Sequence, residues 1–199
     1  MTLNIILSVI LGIGAGYFVM PDSFIATSDT VMTIGLCALL FFVGIDIGKN
    51  KDAFLQLKKM GFKILWVPVL IGLGSIVGGI IGGSLIGMNF KESAAVSAGF
   101  GWYSLSAVII AEHSAQLGAL AFIANVVREL TAIIITPIVG KYIGAVETVA
   151  PAGATAMDTL LPIVSKSAGA RTEVSIISFI SGIVLSLLVP VLVPIIMAL

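Results

Sequence analysis

Asp158 stands in GATAMDTLLP, residues Gly153 to Pro162, a short glycine-punctuated segment of an otherwise apolar chain. A carboxylate at membrane depth costs roughly 3 kcal/mol unless it meets a partner, water or a substrate. Such a group is a receptor for a cation, whether a proton or an amine. Proline has no N–H, so in a continuous helix Pro162 leaves the carbonyl oxygen of Asp158, four residues earlier, free beside its own carboxylate. That pair of oxygens suits an ammonium group or a proton relay, with the hydroxyls of Thr155 and Thr159 alongside and Gly153 permitting a bend. The purely structural alternative is a carboxylate that caps a helix or pairs with Arg128.

A second polar set lies in FIANVVRELTA. Asn125 and Glu129, four apart, share a helix face, and Arg128, three beyond Asn125, overlaps it. Ile123, Val127 and Leu130 make the opposite, lipid-compatible side. Glu129 is then placed to face a translocation path and titrate. Adjacent helical positions point about 100° apart, so Arg128 and Glu129 cannot satisfy each other alone. Asp158 is the predicted acceptor for Arg128.

The third set is GFGWYSLS, residues Gly99 to Ser106. Its glycines permit exposed backbone, and a helix starting near Ser104 offers N–H groups and a positive dipole end to a carboxylate. Trp102 and Tyr103 could pack on an alkylammonium chain or mark the membrane interface. Asp46, next to a lysine-rich loop, reads as an interfacial partner for Lys49, and Glu112 and His113 as loop-facing. The lone histidine has no partner at metal-ligand spacing, and Cys37 excludes an internal disulfide or a cysteine cage. No cofactor or metal is called for.

The elements that must hold these residues are membrane helices. Of the 199 residues 59% are hydrophobic and 10% charged, with zero formal net charge and a mean hydropathy of +1.21. That composition excludes a soluble protein, and the chain has no basic cluster interleaved with aromatics for nucleic acid. About 20 helical residues cross a hydrocarbon core, which places spans at Leu3–Met20, Thr30–Gly48, Ile64–Met88, Gly118–Val139 and Val174–Leu199. The first lacks a basic start and a cleavage site, so it reads as a retained span. Ser93–Ala111 and Ala145–Ser165 carry Gly, Ser and Thr where a lipid-facing helix would carry Leu or Ile. The expected fold is thus an all-α polytopic membrane protein of five full spans plus two discontinuous or re-entrant segments. It forms one transport domain, residues 1–199, with three helices in 1–92 and the motifs in 93–199.

The loop Lys49–Lys63 holds five lysines against Asp52 alone, which places it in the cytoplasm. The N-terminus is then cytoplasmic and the C-terminus external, in the plasma membrane. If both irregular segments are hairpins, Lys141, Lys166 and Arg171 also lie inside. Small residues every fourth position (Ser8, Gly12, Gly16; Gly74, Gly78, Gly82 beside Gly79, Gly83, Gly87; Ser178, Gly182, Ser186 with Ser175) predict close helix packing, static in the favoured reading and a sliding interface between moving parts in the alternative.

GFGWYSLSAVIIAE, NVVREL and GATAMDTLLP, in that order, resemble the signatures of the LysO family of bacterial lysine exporters, roughly from Ser93 to the C-terminus. The resemblance implies export of L-lysine and close cationic analogues in exchange for protons, with Glu129 and Asp158 as the required intramembrane acids. Many family members are about half as long again and carry an N-terminal membrane region that this chain lacks. It is therefore similar to a split form, in which a separate small membrane subunit, or a second copy of the chain, completes the assembly. Lysine needs an anionic receptor for its amine, supplied by Asp158 with Glu129, and a donor cluster for its carboxylate, supplied by the Ser104 helix start or by Arg128. Lysine and protons would compete for Asp158. The chain reads as a transporter and not an enzyme; the alternatives are a non-transporting subunit and an intramembrane aspartyl protease using Asp46 and Asp158, although the YD and GxGD motifs of such proteases are absent. Asp46→Asn separates the classes in a flux or cleavage assay: a protease dyad loses all activity, whereas an exporter keeps most of its flux.

Overall fold

A computed structural model of the chain describes residues 61–199 and, before them, Leu11, Gly14, Ala15, Ile34, Gly35, Ala38, Phe41 and Ile45, each in helical conformation. The chain falls into two compact units, Met1–Gly44 and Ile45–Leu199. The expected spans Leu3–Met20 and Thr30–Gly48 lie almost wholly outside the described residues, as do Asp46, Cys37, the Ser8–Gly16 stripe and all of the lysine-rich loop before Gly61.

Every regular element among the described residues of the second unit is helical. A 3-10 turn, Phe62–Leu65, leads into α1, Trp66–Leu85. Two short helices follow, α2 (Phe90–Ser97) and α3 (Tyr103–Ala111), and then the long α4 (Ala115–Tyr142). The segment after it is broken repeatedly, with a 3-10 turn, a one-turn α5 (Val149–Ala152), a second 3-10 stretch (Gly153–Met157) and α6 (Leu161–Ser167). Last comes α7, Thr172–Ala198. Lys63–Leu85, Ala115–Tyr142 and Thr172–Ala198 are long and apolar enough to cross a membrane. They correspond to the three expected spans in this region, with ends shifted by a few residues.

Local chemistry explains the ends. Pro68 stands in the first turn of α1, where its missing N–H is not needed. The helix stops at Gly87, whose φ of +78° lets the amides of Gly87 and Met88 turn back onto the carbonyls of Ser84 and Gly83. Asn89 then caps α2 by accepting the Glu92 N–H at 2.8 Å, and Ser114 caps α4 by accepting that of Leu117.

Small residues set how the helices meet. α2 runs back along α1, because Cβ atoms at Gly79 and Gly83 would collide with Ser97 and Ser93. α3 lies against the start of α4: a Cβ at Gly118 would sit 2.6 Å from that of Ala111, and Asn125 reaches Ser106. At the far end of α4 a Cβ at Gly140 would collide with the Ser167 carbonyl. The segment between them thus leaves α4 and returns to the same place. α7 closes on the 3-10 stretch, with Gly182 against Met157 and the Ser178 hydroxyl donating to the Ala156 carbonyl at 2.7 Å. Ser178, Gly182 and Ser186 are buried, as close static packing requires. A core of Ala132, Val149, Ala152, Ala156, Leu160, Val164, Ala168 and Val174 fills the space inside.

The two halves of the α1 glycine stripe differ. Gly79 and Gly83 face α2, whereas nothing lies within 4 Å of a Cβ at Gly74, Gly78 or Gly82. Gly79→Ala should therefore destabilise the protein by about 1–3 kcal/mol through overpacking, and Gly78→Ala should not. Thermal unfolding of the two variants in detergent measures the difference.

Candidate functional site

The breaks in the two irregular segments meet each other. Residues 98–102 separate α2 from α3, and there Phe100, fully buried, has a φ of +50°, a conformation costly for a bulky side chain. Its carbonyl accepts the Ala154 N–H at 2.9 Å. Gly153, on the other strand of this junction, has φ +60° and ψ −130°. A Cβ there would collide with the Phe100 carbonyl oxygen and lie 2.9 Å from Nη2 of Arg128. Glycine at 153 thus serves both the backbone conformation and the close approach.

Asn125 ties the first break to α4. Its Oδ1 accepts the Gly101 N–H at 2.8 Å, and its Nδ2 donates to the carbonyls of Val96 (3.1 Å) and Ala121 (2.9 Å) and, weakly, to the Ser106 hydroxyl. The side chain is 2% exposed. Its amide is engaged on both sides, so it positions the bend. Glycine at 99 makes room, since a Cβ there would sit 2.7 Å from Nδ2.

The polar stripe of α4 is present as expected. Asn125 and Glu129 are buried together with Ala121, Ala132 and Thr136, while Ile123, Val127 and Leu130 are exposed. Glu129 is 9% exposed, and its Oε1 accepts from the Thr159 hydroxyl at 2.6 Å. The Oδ1 of Asp158 accepts the Thr159 N–H at 2.5 Å, and the same hydroxyl lies 3.4 Å from it. Thr159 therefore links the two acids. One hydroxyl proton serves only one carboxylate at a time, and the shorter contact goes to Glu129. Asp158 itself is exposed on the protein surface at this junction.

Two expectations are corrected. The chain at Asp158 is not a continuous helix: Pro162 sits in the first turn of α6, where it starts a helix instead of interrupting one. The Asp158 carbonyl is consequently not free and accepts the Leu161 N–H at 3.3 Å. Nor does Arg128 pair with Asp158. Its Nη1 donates to the Ser75 hydroxyl at 2.5 Å, which in turn donates to the Ser97 carbonyl at 3.0 Å. The guanidinium thus reaches Ser75 of α1, with its other nitrogen close to Gly153.

Of the remaining predicted residues, Thr155 is buried and donates to the Ala152 carbonyl, with its methyl 3.9 Å from a Cβ position at Gly101. Trp102, Tyr103 and Ser104 are half-buried at the start of α3. Tyr103 stacks edge-on against Phe122 at 5.4 Å, so its ring serves α3–α4 packing. Glu112 and His113 are exposed in the turn before α4. Among the described residues no cluster of His, Cys, Asp and Glu could hold a metal. Ser75 and Phe100 escaped the sequence reading. Ser75 is one small residue in a stripe of them, and a strained φ at a phenylalanine leaves no mark in the sequence.

The family model for the lysine exporter LysO matches residues 6–197, well beyond the motif-bearing half. A protein of Haemophilus influenzae provisionally named a lysine exporter is 34% identical over 160 residues, covering 79% of each chain. The lysine exporter LysO of Escherichia coli K12 is 32% identical over 160 residues, 79% of this chain and 52% of that one. The chain thus aligns with about half the length of the Escherichia coli relative. No solved structure matches it. Replacing Asn125 by Leu leaves the buried Gly101 N–H without its partner and removes one of the donors to the Val96 carbonyl, and should lower stability by about 1–3 kcal/mol, read as an earlier unfolding transition in detergent.

Proposed function

Since the chain belongs to the lysine exporter LysO family, we propose that it exports L-lysine and close cationic analogues across the plasma membrane in exchange for protons. The observation that carries this reading is the linked acid pair. Exposed Asp158 is joined through Thr159 to the buried Glu129, the Thr159 N–H going to Asp158 and its hydroxyl to Glu129. Deprotonated Asp158 receives the substrate ammonium from the cytoplasmic side. After the site changes exposure, an external proton neutralises the carboxylate and the amine leaves. Glu129, sheltered from solvent, is the inner proton acceptor of the pair. Amine and proton compete for one carboxylate, which couples opposite fluxes.

In this reading both broken segments are hairpins that enter from opposite faces and meet at their tips. Gly140 against Ser167 supports it for residues 143–167, and the antiparallel runs of α2 on α1 and of α3 on α4 support it for 90–111. Lys141, Lys166 and Arg171 then stand at one end, together with the lysine-rich loop, on the cytoplasmic side. Irregular backbone at membrane depth is tolerated where it lines a protein-covered or watered cavity. The N-terminus lies inside and the C-terminus outside. In this reading a companion subunit, or a second copy of the chain, is part of the working transporter.

Counterflow of labelled L-lysine in proteoliposomes tests the reading, with the chain alone and with a companion subunit. Asp158→Asn and Glu129→Gln should each lower flux at least about 10-fold, the scale of one lost charge-assisted contact; Thr159→Val should lower it less. Wild-type flux from Asp158→Asn would sink the proposal. Flux only when the companion is added would assign this chain the role of one half of an exporter.

A further inference from the structure

The acid pair accounts for the amine of an amino acid and leaves its carboxylate without a receptor. Arg128 is the charged group that the amine chemistry does not use. Its guanidinium has five N–H donors. Among the described residues one hydroxyl, Ser75 Oγ, accepts from it, and no carboxylate is paired with it. An arginine inside an apolar helix without a counter-charge is costly unless an anion joins it.

The surroundings provide room for one. Arg128 lies at a cleft of about 430 Å³ between α1, α2 and α4, whose polar lining is Ser75, Ser93, Ser97, Asn125 and Arg128. Gly74, Gly78 and Gly82 form its other wall and leave it open, with nothing within 4 Å of their Cβ positions. The volume is ample for one amino acid. Nη1 is fixed by Ser75 while the Nη2 side reaches Gly153, at the start of the turn that carries Asp158 and Thr159. The cleft thus presents a cation, with hydroxyls beside it and no carboxylate among its lining residues, which suits an anionic group of the substrate. The other expected donor, the start of α3, fits less well: none of Trp102 to Ser106 lines the cleft, and the Tyr103 N–H is taken by the Gly101 carbonyl.

We infer that Arg128, held by Ser75 in the glycine-walled cleft, binds the α-carboxylate of the exported amino acid, so that recognition demands a free carboxylate. This rests on the amino-acid export reading. Its consequence is discrimination against diamines, which satisfy Asp158 but leave the guanidinium unpaired.

Competition against labelled L-lysine bound to the purified full chain, with its companion subunit if flux requires one, tests this. Pentane-1,5-diamine, which lacks only the carboxylate, should compete about 10- to 100-fold more weakly than lysine, as expected for a lost charge-assisted hydrogen-bonded pair. In Arg128→Gln that gap should close through weaker lysine binding, and Arg128→Lys should restore part of it. Gly78→Leu, which fills the cleft from an open position without disturbing packing, keeps the test valid if the arginine variants do not fold; it should weaken lysine at least about 10-fold. Equal competition by the diamine and lysine on the wild-type protein, or unchanged lysine affinity in Gly78→Leu, would overturn the inference while leaving Asp158-dependent export standing. A folded wild-type protein that binds no lysine would instead overturn the export reading and this inference with it.

Discussion

The structure depends on a contact between two broken pieces of backbone, the Phe100 carbonyl accepting the Ala154 N–H at 2.9 Å. In a hydrocarbon setting every unpaired N–H or carbonyl group carries a penalty of several kcal/mol, so a helix cannot simply stop halfway. Here each break is satisfied by the other and by Asn125. The junction requires no side chain at 153 and a strained backbone at 100, and both conditions are met by tight surroundings: a Cβ at Gly72 would already touch the Phe100 ring, and Gly182 lets α7 press on the 153–157 stretch.

That junction also separates the charges. Arg128 is held by Ser75, whereas Asp158 and Glu129 are both held by Thr159. Had the arginine reached Asp158, the two charges would have neutralised each other in a buried pair of doubtful net stability, and neither would be available to a ligand. Keeping them apart leaves a cationic position held by a serine and an anionic position held by a threonine. An amino acid with a charged side chain presents the complementary pattern.

The small residues of the sequence divide into two kinds that look identical in the text. Gly79, Gly83, Gly118, Gly140 and Gly182 meet a neighbouring helix or turn so closely that a methyl would collide, while Gly74, Gly78 and Gly82 border open space. The first set holds helices at backbone distance, and the second widens a cleft. Spacing every fourth residue marks both, because it reports only a shared helix face.

Much was determined by the sequence itself: membrane helices by the length of the apolar runs, the inward face of α4 by the positions of Asn125 and Glu129 against Ile123, Val127 and Leu130, and the two interrupted segments by Gly, Ser and Thr where lipid would demand Leu. These are properties of one helix at a time, set by periodicity and by the solvation of single residues. The tertiary structure decided the pairings. It turned Pro162 from an interruption into a helix start, gave Arg128 a serine from α1 in place of Asp158, and spent both ends of the Asn125 amide on the bend at Gly101. Hydrogen-bond partners separated by 24 or 53 positions are chosen by which backbones can approach, and that is settled only when all the helices are packed together.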